Sequence, residues 1–207
     1  MNRFQRRHRF RDPKKFFIIA TEGECTEDIY FTALKPPRDA AIQLKVLPTR
    51  KGRSHPRQVL ERLKNYDRDA GSSAQDELWL VVDKDAWTEI DLDDVARALN
   101  GMPRYHLALS NPCFELWLVL HRRDSSGKSC AQLQAILEDE LGAYRKNGYD
   151  AEKLKPGIED AITRARRIDT PAQEPWPRAD GTQVYRLVQK LAPHQPPADC
   201  TPPRARK

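Results

Sequence analysis

Short apolar runs alternate with amphipathic stretches over the first half of the chain. Phe16 to Ala20 is continuous, β-branched and aromatic, with no polar alternation. Such a run predicts a strand buried on both faces. It stops at Thr21-Glu22-Gly23, and the period then changes. Ile29, Tyr30, Ala33 and Leu34 share one helical face, with Thr26 as the predicted cap and Glu27 and Asp28 in the first turn. Pro36-Pro37 ends that helix. Ile42 to Leu47 predicts a second strand. A basic loop, Arg50, Lys51, Gly52 and Arg53, leads to a helix with Val59, Leu60, Leu63 and Tyr66 on one face. Leu78 to Val82 is a third buried strand. From about Asp91 the positions Leu92, Val95, Ala96 and Leu99 return to helical spacing, closed by Asn100-Gly101. Tyr105 to Leu109 predicts a fourth strand. This alternation predicts an α/β fold: a parallel sheet of about four strands with right-handed crossovers.

The second half reads as helical. Asn111-Pro112 predicts a helix start, and Phe114 to Leu120 is apolar nearly all round, so this helix should be buried. Three more apolar faces follow: Leu133, Ile136, Leu137 and Leu141; Ile158, Ala161, Ile162 and Ala165; Val184, Leu187, Val188 and Leu191, the last capped by Thr182. The expected organisation is a basic disordered arm over 1–14, an α/β core over 15–125, a helical part over 126–192 packed on that core, and a flexible proline-rich basic tail over 193–207.

Composition narrows the class. Apolar residues make up 39% and charged residues 32% of 207, yet no apolar run approaches the roughly 20 residues of a membrane span. The basic N-terminus has no signal-type apolar segment behind it, so a cytoplasmic protein without membrane contact is expected. The four cysteines form no Cys-x-x-Cys pair, which argues against zinc, and reduced thiols are expected. Cys25 and Cys113 flank the acidic stretches, but no histidine is near them in sequence to activate a thiol. The net charge is +6, and residues 1 to 15 alone carry five arginines and two lysines against one aspartate. Arg3, Arg6 and Arg7 of this arm, with Arg50, Lys51 and Arg53, are candidate phosphate contacts; a solubilising tail is the plainer reading of the arm.

The candidate chemistry is acidic. Glu22 follows the first strand, and Asp83 and Asp85 follow the third. These are positions where open α/β sheets bind ligands. Three carboxylates together are costly without a cation, and oxygen-only ligands suit Mg²⁺ or Mn²⁺. Glu115, inside the apolar helix, needs a partner. It is either salt-bridged to an arginine or a fourth acid beside the metal. Lys146 is either a surface lysine or a group that stabilises phosphate charge.

These residues resemble a known family. Glu22-Gly23 and Asp83-Lys84-Asp85 are similar to a TOPRIM domain, the metal-binding module of topoisomerases, primases and OLD-type nucleases. Glu22 to Glu27, Tyr30-Phe31, Asp83 to Asp85 and Ser110-Asn111-Pro-Cys-Phe-Glu-Leu-Trp-Leu-Val-Leu-His121 together resemble the RloB-like family of bacterial anti-phage, abortive-infection loci, over roughly residues 15 to 195. The resemblance implies a TOPRIM-like fold and a Mg²⁺-dependent nuclease. In it Glu22, Asp83 and Asp85 are ligands, Glu22, Glu115 and Lys146 are catalytic, and Gly23, Glu27 and Asn111 complete the motif. It also implies a nucleic-acid substrate and a separate ATPase partner encoded nearby, because this chain has no Gly-x-x-x-x-Gly-Lys-Ser/Thr loop. A homodimer stays open. The alternative is a non-catalytic module that binds nucleic acid or a partner.

Overall fold

The computed structural model describes residues 14–49, 54–169 and 175–192. Strands β1 (Lys15–Thr21), β2 (Ile42–Leu47), β3 (Glu77–Asp83), β4 (Tyr105–Asn111) and β5 (Gly181–Thr182) form one sheet in the order β2-β1-β3-β4-β5. The first four are parallel, and β5 pairs antiparallel with β4 through Ser110↔Thr182 and Asn111↔Gly181. Sequence patterning misses β5 because two residues carry no periodicity.

Seven α-helices accompany the sheet among the described residues: α1 (Thr26–Ala33), α2 (Pro56–Ala70), α3 (Glu89–Leu99), α4 (Glu115–Leu120), α5 (Cys130–Leu141), α6 (Ile158–Ile168) and α7 (Val184–Leu191). A 3-10 helix, Ala151–Gly157, leads into α6. Alternate strand residues feed two cores. Phe17, Ile19, Trp79 and Val81 pack with α1, α4, α5, α6 and α7. Ile18, Ala20, Leu78, Leu80 and Val82 pack with α2 and α3. The sheet is therefore covered on both sides, as the continuous apolar runs of β1 and β3 require. The C-terminal helices share one core with α1.

Several local expectations are corrected. Thr26 does not cap α1: Cys25 holds the cap position without a side-chain bond, and the Thr26 hydroxyl donates to the Lys146 carbonyl. Thr182 lies in β5, and Gln183 holds the α7 cap. Asn111 ends β4, its bond to Pro112 is cis, and α4 begins only at Glu115. Cys113 and Cys130 are not free thiols but a disulfide, since the β4–α4 turn and the start of α5 bring their Cα atoms to 6.0 Å. No helix among the described residues is long and apolar enough to cross a membrane.

Candidate functional site

The loops after β1 and β3 leave the sheet on opposite sides. β1 runs to α1 in one core, and β3 runs to α3 in the other. A crevice opens between such strands at their carboxyl ends. Here that crevice is a pocket of about 260 Å³, and Glu22, Glu27, Asp83, Asp85, Glu115 and Lys146 line it.

Glu22 is gripped at both oxygens. The Asp83 backbone N–H donates to Oε2 at 3.1 Å and the Trp87 indole N–H to Oε1 at 2.8 Å. Burial pushes its carboxyl up to about 7, against those two donors and helped by Asp85 and Glu27. Glu27 sits in the first turn of α1, buried, and accepts from the Gly23 N–H at 3.0 Å. A Cβ at Gly23 would meet that carboxylate, which would have to swing off the Gly23 N–H to make room.

Asp83 ends β3. Part of the residue reaches the surface, but its Oδ1 is buried with no hydrogen-bond partner. Burial, then the charges of Glu27, Glu22 and Glu115, push its carboxyl well above the ordinary aspartate value. Asp85 lies beyond the strand end, exposed in a turn that its N–H ties to the Pro112 carbonyl at 3.0 Å. Strand geometry therefore does not carry as far as Asp85, though it reaches the same pocket.

Glu115 is 1% exposed and its Oε1 is surrounded by donors. Gln134 Nε2 and the Tyr144 hydroxyl each stand at 3.1 Å and Lys146 Nζ at 3.4 Å. The buried acid thus has a cation, a lysine rather than an arginine, and also lines the acidic pocket. Burial opposes the charge on Lys146, but Glu115, Asp83 and Asp85 outweigh it and raise its pKa. The loop carrying Lys146 is closed by an Arg145↔Gly148 bridge and clamped to α1, where the Tyr149 hydroxyl donates to the Thr26 carbonyl at 2.8 Å.

Asn111 stands apart from this group. Its side-chain amide donates to the Pro177 and Arg178 carbonyls and holds the segment before β5. Arg3, Arg6, Arg7, Arg50, Lys51 and Arg53 lie outside the described residues. Sequence reasoning took Trp87 for core or rim and missed Gln134 and Tyr144. Trp87 lies two residues past Asp85 and Tyr144 two before Lys146, in each case a signal of proximity; nothing in the sequence signals Gln134.

Among the described residues, no three histidine, cysteine, aspartate or glutamate side chains stand placed to hold a metal ion. The pocket nevertheless gathers carboxylates, among them Glu22, Glu27, Asp83, Asp85 and Glu115, beside Cys25 and Lys146, and Asp83 Oδ1 is buried and unpartnered, an oxygen donor of the kind a hard divalent cation takes.

Fold and pocket define a doubly covered α/β protein with a carboxylate cluster at its sheet switch point. The family profile for RloB-like protein matches residues 17–191, nearly the whole described chain, and the protein belongs to that family. No curated protein and no solved structure matches it.

Proposed function

We propose that this protein is a metal-dependent nuclease of TOPRIM type, cutting phosphodiester bonds in RNA, including tRNA, or in DNA. The observation that carries the proposal is Asp83: a buried carboxylate with a free oxygen, crowded by three other acids. Such a group stays ionised only with a cation near it, and the pocket's lysine, Lys146, is already shared with Glu115 and Asp85. Asp83 and Asp85, with Glu22, would hold Mg²⁺ or Mn²⁺. The bound ion supplies charge that polarises the scissile phosphate and lowers the pKa of the attacking water.

The chain's own residues supply the rest. Lys146, more than half exposed, stands at the pocket mouth and contacts a non-bridging phosphate oxygen. Glu115 fixes that ammonium, and Gln134 and Tyr144 fix Glu115. Glu22 handles the proton of the attacking water or leaving oxygen. Anti-phage abortive infection, with a separate ATPase, is the setting the family resemblance suggests.

A second reading has its own support. Both oxygens of Glu22 already accept internal hydrogen bonds, as expected of a carboxylate kept for structure in a non-catalytic binding module. Asp83→Asn separates the two. A nuclease loses Mn²⁺ binding in calorimetry and at least about a hundredfold in cleavage of RNA and plasmid DNA, with an unchanged circular dichroism spectrum. A wild-type protein that cuts neither substrate with Mg²⁺ or Mn²⁺ favours the binding module.

A further inference from the structure

A second cavity, about 540 Å³, opens beside the acidic pocket between the carboxyl end of β2 and the outer side of α2. Leu47 and Pro48 form one wall; Gln58, Arg62, Asn65 and Tyr66 form the other. The last four recur at helical spacing, so they share one face of α2. The volume lies within the roughly 300–1,000 Å³ of small-ligand sites.

Two bonds tie this cavity to the acidic pocket. The Arg62 guanidinium donates to the carbonyl of Thr21, the residue before Glu22. Thr49, the residue after Pro48, donates through its hydroxyl to the carbonyl of Gly23 at 2.9 Å. Glu22 is thus bracketed by backbone held on one side by Arg62 of the cavity wall and on the other by Thr49, next to the wall residue Pro48. Gln58 and Asn65 are exposed on that face, so their side-chain amides are open to a ligand. An amide offers a donor and an acceptor side by side, the pattern of a base edge. Glu61 and Asp69 on the rim offset Arg57, which pairs with Asp94, and Arg62, which holds the Thr21 carbonyl, so the cavity has no surplus cation for a phosphate.

We infer that this cavity receives one unpaired nucleobase of the strand whose phosphate lies at the acidic pocket, so the substrate is single-stranded or locally opened nucleic acid. The inference rests on the nuclease reading. Leu47, Pro48 and Tyr66 cover the ring, and Gln58 and Asn65 read its edge. A base held in a duplex cannot enter, because its edge is paired and its faces are stacked.

The test is titration of the full chain by amide NMR with the 5′-monophosphates of the common bases and with ribose 5-phosphate as the base-free control. At least one nucleotide should bind about tenfold more tightly than ribose 5-phosphate. The double variant Gln58→Ala with Asn65→Ala, at two exposed helical positions, should weaken that binding roughly tenfold. Equal affinity for ribose 5-phosphate, no nucleotide binding, or binding insensitive to the double variant would overturn the inference. Cleavage measured on the same preparations keeps the two ideas apart. A protein that cuts nucleic acid but ignores the base loses only the base site. One that binds bases through Gln58 and Asn65 yet cuts nothing loses only the nuclease.

Discussion

Glu22 owes its position to two N–H donors and its raised pKa to burial. Folded, it keeps its proton up to about pH 7, whereas the unperturbed carboxyl releases it near 4.5. Between those values the folded chain binds more protons than the unfolded one, so stability falls as pH rises through the window. Glu22→Gln removes the titration. The variant turns its amide –NH2 toward one of the two N–H donors and so should be less stable than wild type at pH 4, but between pH 4 and 7.5 it should gain on wild type by up to roughly 3 kcal/mol, read from urea unfolding at both values without divalent ions. No such gain would mean that Glu22 is solvated rather than desolvated. The same residue shows what a sequence can and cannot tell. Its place after a core strand is visible in the apolar run before it. Its hold on Trp87 is not, because that contact spans 65 positions.

At the scale of elements, β1 and β3 were legible as continuous apolar runs, β2 and β4 as short stretches rich in apolar residues between turn signals, and α2, α3, α5, α6 and α7 because their apolar faces repeat. Short and irregular pieces were not. β5 has two residues, the 3-10 helix contains Lys155-Pro156, and the loop of Lys146 reaches α1 through contacts 120 residues away in sequence. The acidic pocket was half legible for that reason. The strand ends announced Glu22, Asp83 and Asp85, while the lysine that pairs with Glu115 depended on a tertiary contact. The junction of the 3-10 helix and α6 makes its own prediction. Gly157 has an ordinary φ of -94°, so its backbone does not require glycine. A Cβ there would instead run into the backbone carbonyl of His121. That carbonyl ends α4, and the His121 ring is locked between the Tyr30 hydroxyl and the Trp117 carbonyl, each at 3.0 Å. It has little room to yield. Gly157→Ala should cost about 1–3 kcal/mol in urea unfolding. Gly148→Ala, whose Cβ would meet nothing within 4 Å, should cost far less and serves as the control.

At the scale of the whole molecule, charge is unevenly placed. Residues 1 to 13, outside the described structure, carry five arginines and one aspartate, a net +4 of the chain's +6. The next two basic residues are already engaged. Lys14 donates to the Arg38 carbonyl, and Lys15 pairs with Glu77 at 2.7 Å. The acidic pocket would repel a polyanion without bound cations, so any attraction for nucleic acid must come from elsewhere on the chain, and the five N-terminal arginines carry most of the net charge. Deleting residues 1 to 13 should therefore weaken nucleic-acid binding most at low salt. Each phosphate contact adds about 0.7 to the slope of log affinity against log salt on single strands and about 0.9 on duplex DNA. If half of the five arginines engage, deletion should lower the slope by roughly 2. Fluorescence anisotropy of a labelled oligonucleotide, from low to moderate salt, measures it in both proteins. An unchanged slope would assign these arginines to a protein partner, the expected ATPase first, and would leave the basic loop of Arg50, Lys51 and Arg53 as the remaining candidate for the phosphate backbone.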